Sequence, residues 1–292
     1  NLTFGDLNAR FGQGLCLWTG FVMNPSSSFS SLFRKPSGIR PSSSYSGEYA
    51  LRGGAAEVHL GRFVISTLTA AKRTKAGVEL MPAMNLRYAG LRVDGGVTAK
   101  LEEGELAAST DVRTTVKGVD LFSEVALSSK DGLAWCAGFS SSLENGFKVG
   151  TVAKMDKAYS LVSLVDGVFG KRRHSIIGSV DLTYYPRPSY GDERAGVQLK
   201  TLINYKAKIG DLWSLNMRTS ARLRSYDEPD EAVLGINCKL NLRAETVRDD
   251  GRWLAKARLE SVIYNGIALA GFCEGGYKTD VFGVYLKGGL YD

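Results

Sequence analysis

The stretch Ala232–Val247 reads A-V-L-G-I-N-C-K-L-N-L-R-A-E-T-V, and its alternation decides the fold class. Leu234, Ile236, Cys238, Leu240, Leu242 and Ala244 form one set; Asn237, Lys239, Asn241, Arg243 and Glu245 form the other. Successive side chains of a strand point to opposite faces, so this is one strand with a dry face and a charged face. A helix would scatter the same charges around its circumference. The strand is also long, since globular strands usually run roughly 5–6 residues.

Working outward, the neighbouring segments repeat the division. Gly196–Lys208 sets Val197, Leu199, Ile203, Tyr205 and Ala207 against Gln198, Lys200, Asn204, Lys206 and Lys208. Leu212–Arg224 sets Trp213, Leu215, Met217, Ala221 and Leu223 against Ser214, Asn216, Arg218, Arg222 and Arg224. Strand-like segments then continue in both directions, from Ala50–Leu60 through Ser175–Tyr185 and on through Trp253–Tyr264, Ala268–Tyr277 and Val281–Tyr291. Turn dipeptides such as Asp131-Gly132 and Asn145-Gly146 punctuate them, as tight hairpins require. Residues 2–20 read as an extended, glycine-interrupted strand or strand pair, and Tyr159–Val165 as either a strand or a short helix. The pattern predicts roughly 14 strands in a single domain over residues 1–292, with no repeat period of a propeller or solenoid.

Strands of about 10–13 residues match the length that a tilted strand needs to cross a bilayer. Charged residues at mid-strand are costly inside a soluble sandwich but can line the watery interior of a closed barrel. The expected fold is therefore all-β, an antiparallel up-and-down transmembrane β-barrel. Lys200, Lys206, Arg218, Arg222, Lys239 and Arg243 are its expected lumen-lining cations, and Trp213, Tyr205, Trp253 and Phe282 its interfacial aromatics.

Bulk composition is compatible with this. Hydrophobic residues make up 44% of the 292 positions, and mean hydropathy is −0.10, because the two faces of each barrel strand cancel. No apolar run of the length of a membrane helix occurs. Asn1 is followed directly by strand-like sequence without a basic-then-apolar leader, so we expect a mature, truncated or internal portion of a protein. Net charge is +7, which suits a solvated face, an anion-attracting lumen or a nucleic-acid surface.

Residues 24–46 are the clearest loop, holding three of the seven prolines, many serines and three cations. Either it is a surface loop, or it folds inward as a plug or docking segment with Phe29, Leu32, Phe33, Arg34 and Lys35 as its anchors. Catalytic and cofactor signatures are absent: there is no G-x-x-x-x-G-K-[ST], H-E-x-x-H or G-x-S-x-G. The four cysteines are far apart, and His59 and His174 are the only histidines, so neither a metal, a cofactor nor an enzyme is expected.

The residues Phe11-Gly12-Gln13-Gly14-Leu15 with Trp18 and Gly20, then Ser44-Tyr45-Ser46-Gly47-Glu48 and Arg52-Gly53, carry a resemblance, with a weaker echo in Leu121-Phe122-Ser123-Glu124-Val125-Ala126. They resemble a family of Bacteroidota outer-membrane proteins named for a helix-hairpin-helix, competence-type DNA-binding region. The resemblance implies an outer-membrane location and a barrel. No helix-hairpin-helix motif occurs in this chain, so DNA binding is carried over to none of its residues.

The functional expectation is an outer-membrane channel or the membrane-embedded subunit of an envelope complex. An occluded barrel serving as a scaffold for partner proteins is the alternative, and a mitochondrial-type porin of the mitochondrial outer membrane is a further one. Its partners would be membrane lipid, other envelope proteins, and an anionic solute or nucleic acid.

Overall fold

The computed structural model describes residues 1–20, 28–42, 51–74, 77–186, 195–227, 234–279 and 282–292. The described residues form an all-β, antiparallel, up-and-down sheet architecture of 18 strands with essentially no helix. Contacts divide the chain into two compact units.

The first unit comprises Asn1–Pro25, Ser30–Ser141 and Gly150–Ser160. Its strands are β1 (Leu2–Arg10), β2 (Gly38–Pro41), β3 (Leu51–Leu60), β4 (Phe63–Thr74), β5 (Gly77–Ala89), β6 (Val93–Glu102), β7 (Glu105–Val116), β8 (Val119–Ser128) and β9 (Gly132–Ser142). β1 pairs with both β2 and β3, and each strand from β3 to β8 pairs with the next. Glu103-Gly104 and Lys117-Gly118 join their hairpins with both residues at positive φ, the turn whose twist matches that of paired strands. Strand β10 (Phe147–Met155) and strand β11 (Tyr159–Phe169) follow.

The second unit comprises Ser26–Phe29, Ser142–Val149 and Leu161–Asp292. It contains β12 (His174–Tyr185), β13 (Gly196–Ile209), β14 (Trp213–Asp227), β15 (Leu234–Asp249), β16 (Trp253–Ile263), β17 (Ile267–Lys278) and β18 (Gly283–Tyr291), each paired with the next. The β15–β16 turn is capped by Asp250, whose Oδ1 accepts the backbone N–H groups of Arg252 at 3.0 Å and Trp253 at 2.6 Å. Those donors hold the Asp250 carboxyl below its usual range.

Three expectations need correction. Residues 11–20 do not continue the first strand: beyond Arg10 only an Arg10–Trp18 bridge is formed, because Gly12 and Gly14 take positive φ and turn the chain back. The 24–46 segment is not wholly loop. It holds the single helical turn α1 (Phe29–Leu32) and strand β2 on the edge of β1, while its residues 24–27 and 43–46 lie outside the described residues. Of the two readings open for Tyr159–Val165, strand is the one found, as part of β11. The 18 strands among the described residues exceed the roughly 14 expected, and β2 is one that composition concealed.

The packed core of the first unit gathers Leu7, Ala9, Phe11, Leu17, Ala55, Leu68, Ala70, Met81 and Ala83. Gly53 sits where β3 passes close to β4, and a Cβ there would collide with the Thr69 carbonyl oxygen. We expect Gly53→Val to destabilise the protein by about 1–3 kcal/mol, read as a lower midpoint in thermal unfolding followed by circular dichroism.

Candidate functional site

Direct cross-strand partners lie on the same side of a sheet, so the registers assign every side chain to a face. In the first unit Glu57, Ser66, Asn85, Thr98 and Ser109 stand opposite one another in a row from β3 to β7. The next row holds Arg87, Gly96, Asp111, Glu124 and Cys136, from β5 to β9. Ser66, Asn85, Thr98, Ser109 and Glu124 are all buried, whereas Val58, Leu80, Met84, Leu86, Val97, Val112, Val125 and Leu127 on the opposite face are exposed. The unit's exposed face is apolar, while its covered face mixes these polar residues with Ala55, Leu68, Ala70, Met81, Ala83 and Ala126. Soluble monomers rarely expose contiguous apolar patches beyond a few hundred Å².

What covers the polar face is the chain's own N-terminal segment. Glu124, only 1% exposed, accepts hydrogen bonds at Oε2 from the backbone N–H groups of Gln13 (2.6 Å) and Leu15 (3.2 Å). Gly12 is required beside it, since a Cβ would lie 2.8 Å from Glu124 Oε2 and 3.1 Å from Asp111 Oδ1. The Gln13 side chain donates to the Arg34 carbonyl (3.0 Å) and accepts from the Arg34 N–H (2.9 Å), which ties the two halves of the segment together. Arg34 and Arg10 lie over the Trp18 ring, at 5.2 and 5.8 Å from its centroid. Phe33 packs on Phe122 with centroids 5.7 Å apart.

Of the expected loop anchors, Leu32 and Phe33 are buried, Arg34 is half-buried and Lys35 is exposed. Phe29 belongs to the second unit, where Lys148 Nζ stands 5.8 Å from its ring centroid. Cys16 is also buried in the N-terminal segment, and burial pushes its thiol up to about 11. A polar cavity of about 190 Å³ lies between the segment and the sheet of this unit, lined among others by Phe11, Glu57, His59, Asn85, Arg87 and Asp111. Elsewhere on this face charges are compensated: Arg87 Nε bonds Asp94 Oδ1 at 2.8 Å, Arg113 bonds Asp120 at 3.0 Å and Lys100 bonds Glu102 at 2.7 Å.

The second unit also has an apolar face and a charged face, but its charged face is not covered, since Arg222 and Lys239 are exposed. Its exposed apolar face carries Ile203, Met217, Leu223, Ile236, Leu242, Leu259 and Leu269. The six expected lumen cations all fall on the other face. Lys200, Arg222 and Lys239 stand directly opposite one another across β13, β14 and β15; Arg218 stands opposite Arg243, and Lys206 opposite Asn216. Arg243 is neutralised, bonding Glu245 at 2.8 Å and lying 3.6 Å from Glu260. Lys256 and Arg258 share Glu245, at 3.3 and 3.9 Å. Aromatic residues gather at the end of the unit that holds the 210–212 and 250–252 turns. There Trp253 packs on Tyr277 at 4.6 Å, and His174 Nδ1 and the Tyr205 hydroxyl are 2.8 Å apart.

No protein-family model matches this chain, and neither a curated protein nor a solved structure is significantly similar to it. The described residues contain no group of three or more His, Cys, Asp or Glu placed to hold a metal, and no helix among them is long and apolar enough to cross a membrane.

Sequence reasoning placed the six cations on one face but missed Glu124, Asp111 and Gln13 as contact residues. One signal was available: Gln13 is flanked by glycines, and Glu124 interrupts the apolar run of its own segment. We expect Glu124→Ala to orphan the Gln13 and Leu15 amides and to speed their hydrogen exchange by about tenfold or more. Glu124→Gln keeps a carbonyl acceptor and should have a smaller effect; mass spectrometry of exchange in residues 11–20 measures both.

Proposed function

We propose that this chain is a bacterial outer-membrane β-barrel without catalytic activity, acting as the membrane-embedded subunit of an envelope complex. The observation that carries the membrane reading is the exposed apolar face of each unit, which lies opposite the face that holds the charged residues. Lipid accepts such apolar faces, while closure of the strands into a barrel leaves no backbone edge unpaired within it. The band of Trp213, Trp253 and Tyr277 fits the interfacial aromatics of such barrels. The resemblance of residues 11–20 and 44–53 to a Bacteroidota outer-membrane family supports the location.

The subunit or scaffold role rests on a second observation. The polar face of the first unit is covered by the chain's own segment, held by Glu124 and Gln13, and a covered face suits a support for partners better than a wide pore. An anion channel is the second reading, favoured by the row of Lys200, Arg222 and Lys239.

Two adjacent substitutions test the membrane reading. Leu242→Arg places a cation on the apolar face, where near the bilayer midplane it costs about 2–4 kcal/mol; Asn241→Arg places one on the polar face and should cost far less. Denaturant-dependent folding into phospholipid vesicles measures the difference, and a soluble sheet packed on its apolar face would fold without vesicles at all. In planar bilayers the subunit reading expects small or no unitary currents from the purified chain. A large, anion-selective conductance would establish the channel reading in its place.

A further inference from the structure

The polar face of the second unit treats its positive charges in two ways. At one level Arg243, Lys256 and Arg258 surround Glu245 and Glu260, three cations against two carboxylates. At another level Lys200, Arg222 and Lys239 face one another across three strands, with no carboxylate among them. Like charges directly opposite on a sheet are destabilising. The first level sets its carboxylates between its cations, whereas the second has a single one, Asp181 on β12, at the end of the row.

The charged group beside the row is Asp181, opposite Lys200 on β12. Its carboxylate is buried and accepts a hydrogen bond from the Thr183 hydroxyl at 3.0 Å. Among the described residues no carboxylate lies within ion-pair distance of Lys200, Arg222 or Lys239. Arg222 is also held in place. Its Nε donates to Gln198 Oε1 at 2.8 Å, and Gln198 is 3% exposed, with its Nε2 3.4 Å from the Tyr185 hydroxyl. A buried amide thus orients the guanidinium of a residue that is itself exposed. Fixing an arginine through one edge leaves its remaining N–H groups aimed at a ligand at reduced entropic cost.

We propose that Lys200, Arg222 and Lys239 form a binding site for a solute bearing several closely spaced oxyanions, of the oligophosphate class. Neighbouring strands lie about 4.8 Å apart, so the row spans roughly 10 Å and presents one cation per strand. That spacing suits linked phosphoryl groups, each facing its own cation, better than a lone anion, which engages one or two. Asn237 and Asn241 flank Lys239 on the same strand face and add neutral hydrogen-bonding groups beside the charged row. The site deepens the reading of a water-accessible barrel interior and rests on it.

The test uses the full chain, purified in detergent, with inorganic triphosphate as the probe in titration calorimetry at low salt. The expected result is saturable binding, stronger than for orthophosphate, that Lys200→Gln, Arg222→Gln and Lys239→Gln each weaken about tenfold. Lys256→Gln, in the compensated cluster, should leave it within about twofold. Lys200→Arg and Lys239→Arg retain charge and should keep most of the binding, which separates loss of the site from loss of the fold. Absence of triphosphate binding, or wild-type binding by an Arg222→Gln, Lys239→Gln double variant, overturns the proposal. Insertion into vesicles is scored separately: a chain that inserts yet ignores triphosphate sinks the site alone, and one that binds triphosphate but folds without lipid or detergent sinks the barrel reading alone.

Discussion

The hydrogen-bonded ladder between antiparallel strands is the constraint on which everything else in this protein depends. From β3 to β9 and again from β12 to β18, each strand satisfies its backbone through its sequence neighbours. Once the backbone is satisfied within the sheet, the two side-chain faces are free to diverge in chemistry. In a soluble sheet the apolar face is buried against something. Here the covered face of the first unit is the one that carries Ser66, Asn85, Thr98, Ser109 and Glu124, together with Leu68, Met81 and several alanines. Leucines, valines and methionines of the other face stand exposed.

The second organising interaction is a single buried carboxylate. Glu124 joins segments more than a hundred residues apart by accepting the Gln13 and Leu15 amides. A turn of alternating glycines exposes consecutive N–H groups, and such a turn inside a sheet needs an acceptor or its amides are lost to hydrogen bonding. Gln13 meets the rest of the need by pairing with the Arg34 backbone. The Phe11–Leu15 and Leu121–Ala126 stretches, from separate parts of the chain, therefore meet at one contact.

Charge is handled differently in the two units. The first pairs its cations locally, Arg87 with Asp94 and Arg113 with Asp120. The second concentrates cations on β13–β15 and supplies carboxylates to only part of them. A face that pairs its cations at one level and lines up three of them at the next keeps a like-charge row, which costs energy wherever water is limited.

Much of the fold was legible in the chain itself. Alternation at period two is a local property, so Leu242 and Arg243 declare opposite faces without any knowledge of their neighbours, and the common face of Lys200, Arg222 and Lys239 follows once strands pair in register. β2 was not legible, because prolines and serines dominate its surroundings and only the edge of β1 makes it a strand. Nor could the sequence tell that residues 11–20 leave the sheet, or that Glu124 waits for them. The sequence by itself determined the two faces of each strand, because side-chain alternation needs nothing beyond the covalent chain. Which cations stand alone, which are neutralised, and what covers the polar face were decided by the tertiary structure, because register and contacts across a hundred residues are set by the assembled sheet.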